Sequence, residues 1–135
     1  MSNITQVVNT DKNMTTLKKG VHASDLDQLL SSTGPFTMFA PLDLAFEKLE
    51  AGTMQKLLEP ENKTALTSLI NNHVVPGKIN FKDLNDGEKL KSLAGKELLV
   101  TISGKEVHIN GALIQNQDIK TTNGVMHTLN TVLNN

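Results

Sequence analysis

Apolar residues recur at helical spacing through the first part of the chain and give way twice to extended runs, and these changes of period predict the architecture. Ile4, Val7 and Val8 mark a short helical face, Asp11-Lys12-Asn13 reads as a turn, and Met14, Leu17 and Val21 resume helical spacing. Gly20 lowers the intrinsic stability of that second helix. Ser24 is expected to cap a third, with Asp25 and Asp27 in its first turn, where the helix dipole favours negative charge, and Leu26, Leu29 and Leu30 as its buried stripe. Ser31–Pro35 ends it and leads into an extended run, Phe36–Phe39. The period changes again at Pro41. From there Leu42, Ala45, Phe46 and Leu49 share one helical face, and a proline fits the first turn of a helix without losing a needed amide hydrogen bond.

A short helix carrying Met54, Leu57 and Leu58 follows, closed by Pro60. The segment Asn62–His73 has the clearest amphipathic pattern, with Ala65, Leu66, Leu69, Ile70 and His73 on a single face. Beyond Val74 the character is that of a sheet. Pro76-Gly77 and Asn85-Asp86-Gly87 mark turns, Leu98, Val100 and Ile102 alternate, and Ser103–Glu106 reads as a hairpin connection into Val107 and Ile109. Asn110-Gly111 is a second tight turn, followed by Ala112–Gln115, Asp118–Lys120 and a closing strand Val125–Leu133. Helices first and antiparallel strands afterwards predict an α+β fold.

With 135 residues there is enough chain for one domain, 1–135, and no internal repeat, low-complexity tract or linker divides it. A formal net charge of -1 argues against electrostatic capture of nucleic acid or an anionic membrane. Phenylalanine is the one aromatic type, in four copies, so there is no stacking platform for single-stranded nucleic acid and no aromatic cradle for sugars. Cysteine is absent, which removes disulfides, thiolate metal sites and a cysteine nucleophile. No apolar run reaches the length of a membrane span, and Met1–Gln6 lacks the basic and apolar regions of a signal peptide.

Three blocks in order, Thr37–Phe46, His73–Gly77 and Asn123–Leu133, together resemble the fasciclin-like (FAS1) domain family over about Ile4 to Leu133. In the opening block Thr37, Phe39, Ala40, Pro41, Ala45 and Phe46 match; Leu42 stands where a threonine or serine is usual and cannot cap the following helix, a loss of about 0.5–2 kcal/mol unless Asp43 substitutes. In the middle block His73, Val74, Val75, Pro76 and Gly77 match, while Asn72 replaces a tyrosine. In the closing block Asn123, Gly124, Val125 and His127 match, and Asn130 replaces an aspartate. The resemblance implies a twisted antiparallel β-sandwich or wedge in the C-terminal half packed against several N-terminal helices, with the opening and closing blocks side by side as central strands. It also implies a non-enzymatic adhesion and interaction module that binds protein or glycan partners, with Asn72–Gly77 as the neighbourhood of contact and the matched residues of the other two blocks as structural. The chain is expected to be monomeric and bacterial. Its place is extracytoplasmic (secreted, periplasmic or surface-attached) if a leader was removed, and cytoplasmic if the sequence is complete.

Neither catalysis nor a metal or cofactor site is expected. His73 shares its face with Leu66, Leu69 and Ile70, and His127 alternates with Val125 and Leu129, so both read as core imidazoles holding backbone partners, and neither has an acid at ligand spacing. Gly104 and Gly111 belong to hairpin turns and lack phosphate-loop spacing. The alternative function is a soluble small-molecule or glycan-binding protein, which a concave pocket at the junction of helices and sheet would support.

Overall fold

The computed structural model describes residues Ser2–Leu133. Five helices, α1 (Ile4–Thr10), α2 (Thr15–Ala23), α3 (Asp43–Glu47), α4 (Thr53–Leu57) and α5 (Lys63–Asn71), lie with one exception of sequence order ahead of eight strands: β1 (Phe36–Pro41), β2 (Val74–Pro76), β3 (Lys89–Lys91), β4 (Glu97–Ser103), β5 (Glu106–Ile109), β6 (Ala112–Leu113), β7 (Ile119–Thr121) and β8 (Gly124–Leu129). The exception is β1, which enters between α2 and α3. One sheet has the order β2-β1-β8-β7 and the other β3-β4-β5-β6.

β1 and β8, the opening and closing blocks, are the two central strands of the first sheet and pair in parallel, Phe36 opposite Gly124 through Pro41 opposite Leu129. The resemblance places the two blocks side by side without giving a direction, and against the antiparallel strands of the C-terminal half this pair is parallel; the long intervening chain supplies the crossover it requires. Every residue of both strands is buried. Such strands are covered on both faces, and the alternation of side chains divides them between two cores. Phe36, Met38, Ala40 and Met126 pack with Ile4, Leu17, Leu66 and Ile70 in the helical layer. Phe39 and Leu129 face the other way, onto Leu98, Val100, Val107 and Ile109 of the second sheet. Phe39 and Phe46 therefore belong to different cores, Phe46 to the helical layer. Val125 is fully buried.

The helix expected after Ser24 does not form. Ser24 instead ends α2, donating its hydroxyl to the Gly20 and Val21 carbonyls at 2.7 and 3.1 Å. Asp25 turns left-handed at φ 60°, and the Leu26 and Asp25 amides donate back to the Val21 and His22 carbonyls, a Schellman ending that reverses the chain. Only a 3-10 turn, Leu29–Ser31, follows, and Leu29 stays exposed. Gly20, a weak point by propensity, lets α2 approach α5 closely, since a Cβ there would lie 3.1 Å from Ile70 Cδ1.

Pro41 closes β1 rather than opening a helix, and the helix behind it runs only over Asp43–Glu47. Leu42 is its N-cap and makes no side-chain hydrogen bond. Asp43 does not take over that role. Its carboxylate accepts from the Thr16 amide and the Thr15 hydroxyl, both at 2.7 Å, and so caps α2, whose own N-cap, Met14, has no acceptor. α5 stops at Asn71, two residues short of His73, and among its apolar residues Leu66 and Ile70 are buried while Ala65 is exposed. β8 ends at Leu129, and the next residue, Asn130, bonds both backbone groups of Leu113 in β6, its amide donating to the Leu113 carbonyl and its Oδ1 accepting from the Leu113 amide.

Gly124 is a steric condition of the central pairing. With φ 157° it brings its α-carbon against β1, and a Cβ built there would sit 1.8 Å from the Phe36 carbonyl oxygen. That contact cannot be relieved without moving one central strand. Gly124→Ala should therefore cost more than about 4 kcal/mol or prevent folding, whereas Gly104→Ala, at an open turn with φ 63°, should cost only about 1–2 kcal/mol of backbone strain. Urea midpoints of the two variants check this, and comparable midpoints would remove the steric assignment.

Candidate functional site

The middle block sits where α5 hands over to β2, and its side chains turn inward. Asn72, His73, Val74 and Val75 are buried; Pro76 is exposed and Gly77 half-buried. The α5 geometry explains the inward turn, since the Asn72 and His73 amides donate to carbonyls of the last helical turn, which winds the chain back beneath the helix. His73 Nδ1–H then donates to the Leu69 carbonyl at 2.8 Å, and His73 Nε2 accepts from the Leu133 amide at 2.8 Å. Asn72 Nδ2 donates to the Leu133 carbonyl at 2.8 Å, and its Oδ1 accepts from the Ser92 hydroxyl at 3.2 Å. Two adjacent side chains thus grip both backbone groups of Leu133. The grip fixes the segment that follows β8 beneath the end of α5.

His127 forms the counterpart on the other side of the first sheet. Its Nε2–H donates to the Ile79 carbonyl at 2.9 Å and its Nδ1 accepts from the Asp118 amide at 3.1 Å, while its ring stacks on Phe39 with centroids 5.6 Å apart. The two histidines therefore carry their protons on opposite nitrogens, each fixed by one donor and one acceptor partner. Thr37 completes the middle block's support. Its hydroxyl donates to the Gly77 carbonyl and accepts from the Ile79 amide, both at 2.7 Å, so the opening block holds the Pro76-Gly77 turn.

Asn123 is the most heavily used polar side chain. Its Oδ1 accepts from the Ile4 amide and the Thr121 hydroxyl, and its Nδ2 donates to the Leu30 and Ser32 carbonyls at 2.7 and 2.8 Å. Its backbone carbonyl accepts from the Phe36 amide at 2.9 Å, one residue before the central pairing begins. Thr37, Phe39, Ala40, Pro41, Ala45, Phe46, Asn123, Gly124, Val125 and His127 are all buried.

Beside Asn72, between α4, α5 and the Leu133 segment, lies a concave cavity of about 350 Å³ lined mainly by Leu49, Leu57, Leu69 and Leu133, with Thr53, Ser68 and Asn72 as polar groups and Lys96 also in the lining. Of these residues, Asn72 alone is among those the sequence singles out for contact. Ser92, which closes the Asn72 network, and Asp118, held at φ 54° opposite His127, carry no sequence signal; their roles come from distant segments meeting. Among the described residues no group of three or more His, Asp or Glu side chains is placed to hold a metal ion, and no helix is long and apolar enough to cross a membrane.

Burial drives the His73 pKa down to about 4 from 6.5, against the raising effect of the Leu69 carbonyl. His127 is lowered in the same direction by burial, opposed by Ile79 and the Asp118 charge. A depressed imidazole contributes stability that is fully present above the unfolded value near 6.5 and is lost as pH falls toward the folded value near 4. The His73 share is on the order of 3 kcal/mol. The urea midpoint of the wild type should fall across this window, and the difference between wild type and His73→Gln should shrink with it. Ring-proton NMR with a His73 midpoint at or above 6.5 would contradict the buried neutral assignment.

Comparisons with known proteins bear on identity. The fasciclin domain family matches residues 12–135. The chain is similar to the Synechocystis sp. protein sll1483, 41% identical over 130 residues that make up 96% of this chain and 72% of that protein. It is also similar to the pig transforming growth factor-beta-induced protein ig-h3, 37% identical over 134 residues, 98% of this chain but 19% of its relative's length. Among solved structures, a FAS1 domain pair from the insect cell adhesion molecule Fasciclin I superposes with a TM-score of 0.87 at 20% identity, covering 98% of this chain and 50% of that one. Domains of this family generally serve adhesion and protein interaction and are non-catalytic. With the match spanning almost the whole chain and its opening and closing blocks paired in the core, the chain belongs to the fasciclin domain family.

Proposed function

We propose that this chain is a non-enzymatic adhesion and interaction module that binds protein or glycan partners outside the cytoplasm, whether secreted, periplasmic or attached to a cell surface. The observation that carries the reading is the fate of its chemically capable groups. His73 and His127 each spend both ring nitrogens on backbone partners in the interior, and neither is left to act on a substrate. What the domain offers to others is its surface. In the middle block that surface reduces to the Pro76-Gly77 turn, a small contact without the aromatic anchor that strong interfaces use.

The reading is tested with beads carrying the purified domain, scored for attachment to surfaces coated with cell-envelope extract. Attachment well above that of albumin-coated beads, removed when the extract is treated with protease or glycosidase, is the expected result. Attachment no better than albumin would refute it.

The cavity beside Asn72 favours the second reading, a small-molecule binder. Its volume of about 350 Å³ falls within the range of ligand pockets, and its mainly apolar lining with a few polar groups suits a compact apolar ligand bearing one hydrogen-bonding end. An environment-sensitive apolar dye should then be bound with one-to-one stoichiometry and displaced on replacing Ala65, which lines the cavity, by tryptophan. A dye signal untouched by Ala65→Trp would remove this cavity from consideration.

A further inference from the structure

A second concavity lies on the opposite side of the domain, where the 3-10 turn Phe81–Asp83 faces the hairpin between β4 and β5. Its volume is about 480 Å³. Phe81, Leu84, Ile102 and Val107 form an apolar floor, and Lys82, Lys105 and Gln117 form the rim. Lys82 and Lys105 are exposed and make no ion pair among the described residues, and no carboxylate lines the trough. Asp83 and Glu106, their chain neighbours, are exposed outside it.

The walls are held in place without help from a ligand. The Phe81 amide donates to the Asp118 carboxylate at 2.8 Å, the Ile102 amide donates to the Asp86 carboxylate at 2.8 Å, and the Phe81 ring leans on His127 with centroids 6.5 Å apart. Ile102 and Val107 are cross-strand partners, which puts their side chains together on the same sheet face. An apolar floor fixed in this way binds at little ordering cost.

We propose that this trough receives an acidic segment of a partner protein, seating one apolar side chain on the Phe81–Val107 floor between carboxylates that meet Lys82 and Lys105. The rim sets the sign of the occupant: its two cations are free of ion pairs, whereas the neighbouring carboxylates of Asp118 and Asp86 accept from the wall amides of Phe81 and Ile102. The floor decides its class. Sugar hydroxyls would need hydrogen-bond partners, and the lining side chains offer only Gln117 besides the two ammonium groups. A bare anion would gain nothing from four apolar residues. A peptide with an apolar side chain between acids uses both features.

This assignment rests on the reading of the chain as an interaction module and is tested apart from it. The probe is a short fluorescein-labelled peptide with a central leucine flanked by glutamates, titrated by fluorescence anisotropy at low and moderate salt. Saturable, salt-weakened binding is expected, reduced about tenfold or more in the double variant Lys82→Glu, Lys105→Glu by like-charge repulsion. It should also weaken when the peptide's leucine becomes alanine, and persist in Lys120→Glu, an exposed lysine outside the trough. Melting curves verify that the variants are folded. No binding, binding indifferent to the double variant, or equal binding of the alanine peptide or of a sulfated oligosaccharide would overturn the assignment. If the beads attach and the peptide fails, the trough is wrong and the module reading stands; if the peptide binds as described and the beads do not attach, the reverse holds.

Discussion

The close approach of Gly124 to the Phe36 carbonyl is the contact on which the remaining structure depends. It lets β8 lie parallel to β1 at the start of their shared register, and Asn123, one residue earlier, ties the same point to the N-terminus of α1 and to the end of the 3-10 turn before β1. Both elements fold where they do because one amide side chain satisfies backbone groups from each. An unmade hydrogen bond at such a depth costs about 1–3 kcal/mol, so a side chain with three backbone partners is a strong constraint on geometry.

From that line the molecule extends in two directions. One face of the central pair is covered by helices, the other by the second sheet, and each cover has its own histidine to secure a loose segment: His73 holds Leu133 under α5, and His127 holds the Ile79 and Asp118 loops against Phe39. The division of labour in Asp43 is similar. Its carboxylate is pushed up by partial burial and more than compensated by the Thr16 and Thr15 hydrogen bonds, so its pKa is lowered, and it works for a helix other than its own.

Much of this was legible in the residues. The period changes at Phe36 and Val74, the hairpin at Ser103–Glu106 and the turn at Asn110-Gly111 follow from local chemistry, and local chemistry is what a sequence displays. The inward direction of His73 was visible in its spacing from Leu66 and Ile70, although the helix ends before reaching it. The ending of α2 was not visible. Ser24 and Asp25 have equal claims to begin a helix or to close one, and the Val21 and Gly20 carbonyls decided the matter. Nor was the parallel sense of β1 and β8, because a strand buried on both faces shows no preferred face and no direction. The lysine-rimmed trough lay further out of reach, since its floor and rim are assembled from the 81–84, 102–107 and 117 segments, which only the fold brings together.

The position of β8 has a consequence for biosynthesis. A ribosome delivers β1 about ninety residues before the strand that must lie beside it, as their numbering shows. Throughout that interval the one strand available to pair with β1 is the edge strand β2. Nearest-neighbour pairs such as the β4–β5 hairpin form early, while the central pairing, with its long loop to close, comes last. Until residues 124–129 have emerged, one edge of this mostly apolar strand stays without its central partner, a state that favours holding by a chaperone.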